Sequence, residues 1–128
     1  MLEKLQLSAF QTASGAVLDI QLSYELFGQT VHSAPLVMVN HALTGNSHVA
    51  GPDGWWNSLI GPGLVVDTDK YTVLAFNIPG NGYDGFVIDN YKDFIAQDIA
   101  RIFWWGVDQL GIQEVFALIG GSLGGGIA

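Results

Sequence analysis

One serine lies within a cluster of glycines that follows an apolar run, and this arrangement could support nucleophilic chemistry. Residues 115–119 are rich in strand formers, and the motif Gly120-x-Ser122-x-Gly124 follows them directly. This order is typical of a nucleophile elbow, in which a serine sits on a tight strand-to-helix turn whose strained backbone requires small neighbours. The helix after the serine points its free N–H groups and positive dipole end at the reaction site. A glycine-rich turn with a solvated serine is the alternative interpretation.

A second loop is placed to assist such a serine. Attack of a serine on an ester creates an oxyanion, which is stabilised by main-chain N–H groups already aimed at it. One donor is the residue after the nucleophile, Leu123, and the other comes from the loop after an earlier buried strand. The apolar residues 35–40 precede a loop in which Leu43 is the natural second donor. An ordinary polar loop at residues 41–45 is the alternative.

The three histidines do not suit the role of general base. In a chain with a serine elbow, the acid and the base normally follow the nucleophile in the order Ser, Asp/Glu, His, whereas His32, His41 and His48 precede Ser122. We therefore expect the catalytic aspartate and histidine beyond Ala128. We expect His41 and His48 to shape their loop through hydrogen bonds and His32 to lie on the surface. A metal site is a weak alternative, because no carboxylate cluster accompanies the histidines.

The composition is that of one apolar, acidic globular domain. The chain has 128 residues, of which 49% are hydrophobic and 12% charged, and its formal net charge is −8. The basic residues are scattered, whereas nucleic-acid binding needs clustered cations: Lys4, Lys70, Lys92 and Arg101. The chain lacks cysteine and any apolar run long enough to span a membrane. We therefore expect a cytoplasmic protein with no nucleic-acid or membrane partner, no metal and no bound cofactor.

Alternating and continuous apolar segments predict the strands that position these loops. Residues 4–10 and 17–27 alternate between apolar and polar side chains, which predicts an antiparallel hairpin with polar residues facing out and a turn at Gly15. Continuous apolar segments predict three strands covered on both faces: residues 35–40, 71–76 and 114–119.

Residues 94–110 predict one helix, because their apolar positions recur at spacings of three and four: Ile95, Ile99, Ile102, Gly106 and Leu110. Asp93 suits its N-cap and Gly111 its C-cap. The order of hairpin, strand, strand, helix, strand and elbow predicts a mostly parallel α/β sheet with an antiparallel edge. The paired tryptophans, Trp55-Trp56 and Trp104-Trp105, are interpreted as packing residues, and Trp55-Trp56 could also wall a pocket.

Five motifs, in this order along the chain, together resemble the homoserine O-acetyltransferase family, enzymes of methionine biosynthesis with an α/β-hydrolase fold. They are Asn40-His41-Ala42-Leu43-Thr44-Gly45, Gly54-Trp55-Trp56, Ile60-Gly61-Pro62-Gly63, Asp67-Thr68-Asp69-Lys70-Tyr71 and Gly120-Gly121-Ser122-Leu123-Gly124-Gly125. The resemblance extends from about residue 17 to the end of the chain and is more specific than the elbow alone.

The resemblance implies acyl transfer in two steps. Ser122 would take the acetyl group from acetyl-CoA, and the hydroxyl of L-homoserine would then accept it, with Leu43 and Leu123 as oxyanion donors. It also implies that the family's catalytic aspartate and histidine lie beyond Ala128, with cations that offset the acidic balance. We expect residues 1–128 to be the N-terminal part of a single catalytic domain, truncated after the elbow and inactive alone. A homodimer is a candidate assembly of the full-length protein.

Several alternatives stay open. Residues 77–82 and 95–98 depart from the pattern of the family, and relatives with these motifs use succinyl-CoA or accept serine. The acyl donor and acceptor are therefore both undecided. An esterase or thioesterase of the same fold would pass the acyl group to water instead. A non-catalytic binding protein on the same scaffold would leave Ser122 unreactive.

Overall fold

The computed structural model describes residues 2–41, 45–79, 83–85 and 96–120. Its elements, in chain order, are β1 (Glu3–Gln11), β2 (Val17–Gly28), β3 (Leu36–Asn40), β4 (Ile60–Gly61), β5 (Val66–Asp67), β6 (Thr72–Phe76), α1 (Ala96–Gln109) and β7 (Ala117–Gly120). The predicted hairpin, helix and three later strands are confirmed, with small differences at their ends. Among the described residues, no helix combines the length and apolar character needed to cross a membrane.

Five of these strands form one sheet in the order β1-β2-β6-β3-β7. β2 pairs antiparallel with both β1 and β6, whereas β3 pairs parallel with β6 on one side and β7 on the other. The predicted parallel α/β sheet with an antiparallel hairpin at its edge is therefore confirmed. The prediction that residues 114–119 form a fully covered strand is wrong, because β7 is half-buried and has one strand neighbour in the described part of the chain.

The two faces of the sheet serve separate cores because successive side chains of a strand point to opposite faces. One face packs against α1 and forms the larger core, which includes Leu22, Met38, Leu74, Phe76, Ile102 and Phe103. The other face packs against the segment that follows β3. Its core joins alternate strand residues to residues of that segment: Val37, Val39, Val73 and Ala75 with Val49, Ala50, Ile60 and Val66.

The predicted C-cap of the helix is confirmed. Gly111 has a φ of +71°, a left-handed conformation that glycine adopts without steric cost. The Gly111 N–H donates to the Asp108 carbonyl at 3.0 Å, and the Ile112 N–H donates to the Val107 carbonyl at 3.2 Å. This pair of hydrogen bonds is a Schellman motif, which closes the last turn and directs the chain towards β7. The predicted N-cap, Asp93, lies outside the described residues.

The motif that contains the tryptophan pair is a tight turn in the segment that covers the second face. The Trp55 and Trp56 N–H groups donate to the carbonyls of His48 and Val49, each at 3.1 Å. Trp56 is half-buried against the second core, and its ring stacks on that of Trp55 at 4.9 Å. The packing role predicted for Trp56 is confirmed, whereas Trp55 is 41% exposed. Its role as a pocket wall stays a prediction.

Two further motifs meet at the short β4–β5 pair. A carboxylate oxygen of Asp67, Oδ1, accepts hydrogen bonds from the Gly63 N–H at 2.8 Å and the Asp69 N–H at 3.0 Å. The bond from Gly63, followed by that from Asp69, lowers the pKa of the Asp67 carboxyl. The glycine motif and the aspartate motif are thus the two halves of one hydrogen-bonded turn.

A methyl group at position 106 has no room between the helix and the sheet. An added Cβ would lie 2.7 Å from both Leu22 Cδ2 and Phe76 Cζ, and the Phe76 ring is held by stacking on Phe103 at 5.1 Å. We expect Gly106→Ala to destabilise the protein by about 1–2 kcal/mol, because overpacking outweighs the better helix propensity of alanine. Urea unfolding measures this, with the exposed position Asp108→Ala as a control that should change little. A higher unfolding midpoint for Gly106→Ala would contradict the packing described.

The backbone approaches itself closely at Gly54. An added Cβ would lie 2.4–2.5 Å from three main-chain atoms of Ala50, which cannot move independently. We expect Gly54→Ala to open the turn and cost about 1–3 kcal/mol in free energy of unfolding, with a red shift of tryptophan emission as Trp56 becomes exposed. Gly61→Ala is the matched control, because its Cβ would meet the side-chain end of Leu64 at 3.0 Å and no main-chain atom closer than 3.9 Å. Equal stabilities for the two variants would refute this account.

Candidate active site

The three predicted catalytic positions, Ser122, Leu123 and Leu43, lie outside the described residues. Their roles therefore stay predictions. The strand ends from which the chain leads to these positions are described, and so is a group of polar side chains beside those ends. The site is built here from these two features.

The two strand ends lie side by side. The Cα atom of Asn40, the last residue of β3, pairs with that of Gly120 in β7 and with that of Phe76 in β6. Since the three strands are parallel, their carboxyl ends meet at one edge of the sheet. Ligands of open α/β sheets bind at this edge, beyond the carboxyl ends of the strands. The segment that contains Leu43 and the segment that contains Ser122 therefore leave the sheet from neighbouring positions.

Asn40 also brings an unused acceptor to this edge. Its side chain is 1% exposed, and its amide oxygen has no hydrogen-bond partner, the one such buried side-chain atom found among the described residues. A buried acceptor without a donor costs roughly 1–3 kcal/mol, so such groups are uncommon and often belong to functional sites. The edge therefore offers one acceptor to any donor that arrives there.

His41 ties the end of β3 to the end of β6. Its ring is 1% exposed, and its Nε2 accepts the Ile78 main-chain N–H at 2.9 Å. Because Nε2 accepts this hydrogen bond, the ring proton lies on Nδ1. His41 therefore shapes its loop, as predicted, and its Nε2 is unavailable as a base.

A group of five polar side chains, which we call the Glu25 cluster, lies next to this connection. Its members are Ser23, Glu25, Ser47, His48 and Asn77. The two carboxylate oxygens of Glu25 contact the Ser47 hydroxyl at 2.6 Å and His48 Nδ1 at 3.1 Å. A carboxylate only accepts, so the hydroxyl and Nδ1 are the donors.

Asn77 joins the remaining groups of the Glu25 cluster. Its amide nitrogen donates to Ser47 Oγ at 2.8 Å and to Ser23 Oγ at 2.9 Å. Its amide oxygen accepts the Ser47 main-chain N–H at 2.8 Å. Ser23, Glu25, Ser47 and Asn77 are at most 4% exposed. The cluster is therefore a continuous buried network that links β2, the end of β6 and the segment after β3.

The Glu25 cluster contradicts one expectation and shows what sequence patterns missed. The prediction that the polar residues of the hairpin face out is wrong for Ser23 and Glu25, which are buried. Their face of β2 is covered because the segment after β3 packs over it. The signal available in the sequence was the run of polar residues at positions 46–48, whose side chains need hydrogen-bond partners if they are buried against the sheet.

The Glu25 cluster reaches solvent at His48. The His48 side chain is 33% exposed, and its hydrogen bonds confirm the predicted structural role. Beside the cluster, partial burial of the Tyr83 phenol, followed by the charge of Glu25, raises its pKa. His32 is exposed, as predicted. No group of three or more potential metal ligands occurs among the described residues.

Comparisons with known proteins agree with this architecture. The homoserine O-acetyltransferase of Methanosphaerula palustris is 36% identical to the chain over 88% of the chain and 27% of the relative. Across the first curated relatives that it matches, the chain spans between 27% and 39% of their length.

Two solved structures share the fold over the whole chain, each with a TM-score of 0.81. Homoserine O-acetyltransferase from Bacillus anthracis is 26% identical, with 41% of that protein covered. Esterase E22 is 27% identical, with 43% covered. A family model for the alpha/beta hydrolase fold matches residues 35–128. The chain therefore belongs to the alpha/beta hydrolase fold family.

Proposed function

We propose that the protein containing this chain is an O-acyltransferase that moves an acetyl group from acetyl-CoA to the hydroxyl of L-homoserine. The observation that carries the proposal is the pairing of Asn40 with Gly120, since it starts the donor segment and the serine segment at adjacent positions. The similarity to homoserine O-acetyltransferases supports the choice of reaction. Residues 1–128 then form the N-terminal part of one catalytic domain.

The reaction has two balanced steps. Ser122 Oγ loses its proton to a base and attacks the thioester carbonyl, and coenzyme A leaves as the thiol once it receives a proton. The homoserine hydroxyl then attacks the acyl-serine, its proton goes to the same base, and Ser122 is released with its own proton restored. Such covalent catalysis gives ping-pong kinetics. In each step the N–H groups of Leu43 and Leu123 bind the oxyanion.

The rest of the machinery also belongs to the proposal. The aspartate and histidine that activate Ser122 follow the chain beyond Ala128, because Ser–Asp–His is the chain order of this fold. Cationic groups in the same downstream part hold the homoserine carboxylate. No bound cofactor is required, since acetyl-CoA is a substrate. Methionine biosynthesis in the cytoplasm is the corresponding role, and a homodimer is the assembly we propose to test.

A second candidate is hydrolysis of an ester or thioester. Esterase E22 matches the chain as well in fold and in sequence identity as the acetyltransferase from Bacillus anthracis does. The two reactions share the acyl-serine and differ in whether water or an amino-acid hydroxyl accepts the acyl group. The choice therefore depends on the part of the site that admits the acceptor.

Replacement of Ser122 tests the nucleophile. In the complete protein, we expect Ser122→Ala to lower the turnover of acetyl transfer by on the order of 10⁴–10⁶-fold, because the acyl-enzyme cannot form. Release of coenzyme A thiol measures the rate, and Ser58→Ala, at an exposed serine, is the matched control. A fluorophosphonate should label the wild-type protein and the control but not the Ser122 variant. Activity and labelling that persist in Ser122→Ala would remove this serine from the mechanism. Absence of labelling and activity in the wild-type protein would favour a binding protein.

The products separate transfer from hydrolysis. With acetyl-CoA and homoserine, we expect O-acetylhomoserine as the main product and slow release of free acetate when homoserine is omitted. Chromatography with mass detection measures both. Succinyl-CoA and serine, tested as competing donor and acceptor, should react more slowly. Free acetate formed at a rate that homoserine does not change would establish the esterase alternative, and a preference for succinyl-CoA or serine would replace the proposed donor or acceptor.

A further inference from the structure

We infer that the Glu25 cluster positions the oxyanion donor of the loop after His41, and that Glu25 is a positioning residue for the acyl-transfer reaction. The inference rests on the function proposed above, because it concerns the Leu43 donor of that reaction. It assigns a role to a buried carboxylate that contacts neither substrate nor reacting atoms.

The first argument is that both flanks of the donor segment are bound to adjacent residues of one strand end. His41 accepts the Ile78 N–H at 2.9 Å, and Ser47 donates its own N–H to the Asn77 side chain at 2.8 Å. Consecutive Cα atoms lie about 3.8 Å apart, so Asn77 and Ile78 hold the two flanks close to each other. The two described residues that flank the donor segment, His41 and Ser47, are therefore both fixed at this edge of the sheet.

The second argument is that the Asn77 anchor depends on Glu25. Asn77 holds Ser47 by two hydrogen bonds, one to the main-chain N–H and one to the hydroxyl oxygen. The orientation of that hydroxyl is set by Glu25, which accepts its proton at 2.6 Å. Hydrogen bonds to a carboxylate are stronger than those between neutral groups. Without Glu25, the buried hydroxyl proton of Ser47 and His48 Nδ1 both lose their acceptor.

The third argument is that the Glu25 cluster interrupts an otherwise apolar face. Glu25 pairs with Ala75 in the neighbouring strand, and the same face carries Val37, Val39 and Val73. Replacing a buried polar network with apolar residues of similar volume is often neutral or stabilising. Stability alone therefore does not explain a carboxylate here, whereas the fixed direction of its hydrogen bonds explains how a loop can be held in one arrangement.

The precision required of an oxyanion hole gives the expected size of the effect. A displacement of about 1 Å from productive geometry can cost about 10²-fold in rate, and loss of one donor costs about 10²–10³-fold in turnover. Because the oxyanion forms only during the reaction, such a displacement lowers kcat and leaves KM almost unchanged.

The test compares Glu25→Ala with Glu25→Gln in the complete protein, by steady-state kinetics of acetyl transfer to homoserine. We expect Glu25→Ala to lower kcat by about 30–100-fold with KM for both substrates within about twofold. Glutamine can still accept from Ser47, and it can donate to His48 Nδ1 once the ring proton moves to Nε2. Glu25→Gln should therefore recover kcat to within about fivefold of wild type. Glu114→Ala removes an exposed carboxylate and serves as the control with unchanged kinetics.

A boronic acid that forms a tetrahedral adduct with Ser122 gives an independent readout. Its affinity should fall with Glu25→Ala by a factor similar to that in kcat, because the adduct places an oxygen in the oxyanion hole. A merely structural role of Glu25 would instead lower the melting temperature and leave the kcat and boronate affinity of the folded fraction unchanged, which would overturn the inference. A Glu25→Ala variant that changes only KM, or a Glu25→Gln variant with a kcat as low as that of Glu25→Ala, would also overturn the inference.

The kinetics of two further variants, Ser47→Ala and Ser122→Ala, distinguish failure of this inference from failure to fold and from failure of the proposed function. If Glu25→Ala does not fold, Ser47→Ala decides, since it removes the hydroxyl link and keeps the main-chain bond to Asn77. A kcat for Ser47→Ala within about twofold of wild type would refute the inference, and a loss of about tenfold or more would support it. If wild-type activity is unaffected by Ser122→Ala, the proposed function fails as well. If activity depends on Ser122 but not on Glu25, only the present inference fails.

Discussion

The parallel pairing of β3 with both β6 and β7 is the constraint on which the candidate site depends. β3 is buried along its whole length and lies between these two strands. Because its register with β7 places Asn40 opposite Gly120, the chain segments after these residues begin at adjacent points of one edge. A shift of the register by one residue would turn the side chains of the strand to the opposite faces. Both cores and the polar edge would then be lost together.

The two faces of the sheet differ in how the polar groups at this edge are hydrogen-bonded. On the face opposite α1, Glu25, Ser47 and Asn77 satisfy one another in a buried network. On the α1 face, the amide oxygen of Asn40 has no partner in the described part of the chain. The satisfied network restrains the backbone beside the site, whereas the unpaired acceptor leaves a polar position open. Rigid support next to an unsatisfied group is the combination expected of a site that binds something.

Much of the fold followed from short-range patterns. The alternation in residues 17–27, the continuous apolar run at 35–40 and the glycine after the helix each reflect local geometry, and each was confirmed. The same patterns could not predict that Glu25 is buried, because its burial depends on a segment that lies 20 or more residues away in sequence and packs over β2. Periodicity assigns a side chain to a face, but it does not show what covers that face.

The same difference between local patterns and long-range contacts applies to the candidate site. The structural roles of His41 and His48 could be predicted, because their position before Ser122 conflicted with the chain order of a catalytic base. Their partners, Ile78 and Glu25, could not, because these contacts join residues that only the folded sheet brings together. The role of Ser122 was predicted from local motif spacing and stays a prediction.

Isolation of the acyl-enzyme tests the central claim most directly. The complete protein is incubated with acetyl-CoA without homoserine, quenched with acid, digested and analysed by mass spectrometry. We predict one acetyl group on the peptide that contains Ser122, which disappears when homoserine is added before the quench. An acetyl group on another residue, or none at any time while coenzyme A is released, would contradict the proposal that two neighbouring strand ends build a serine acyl-transfer site.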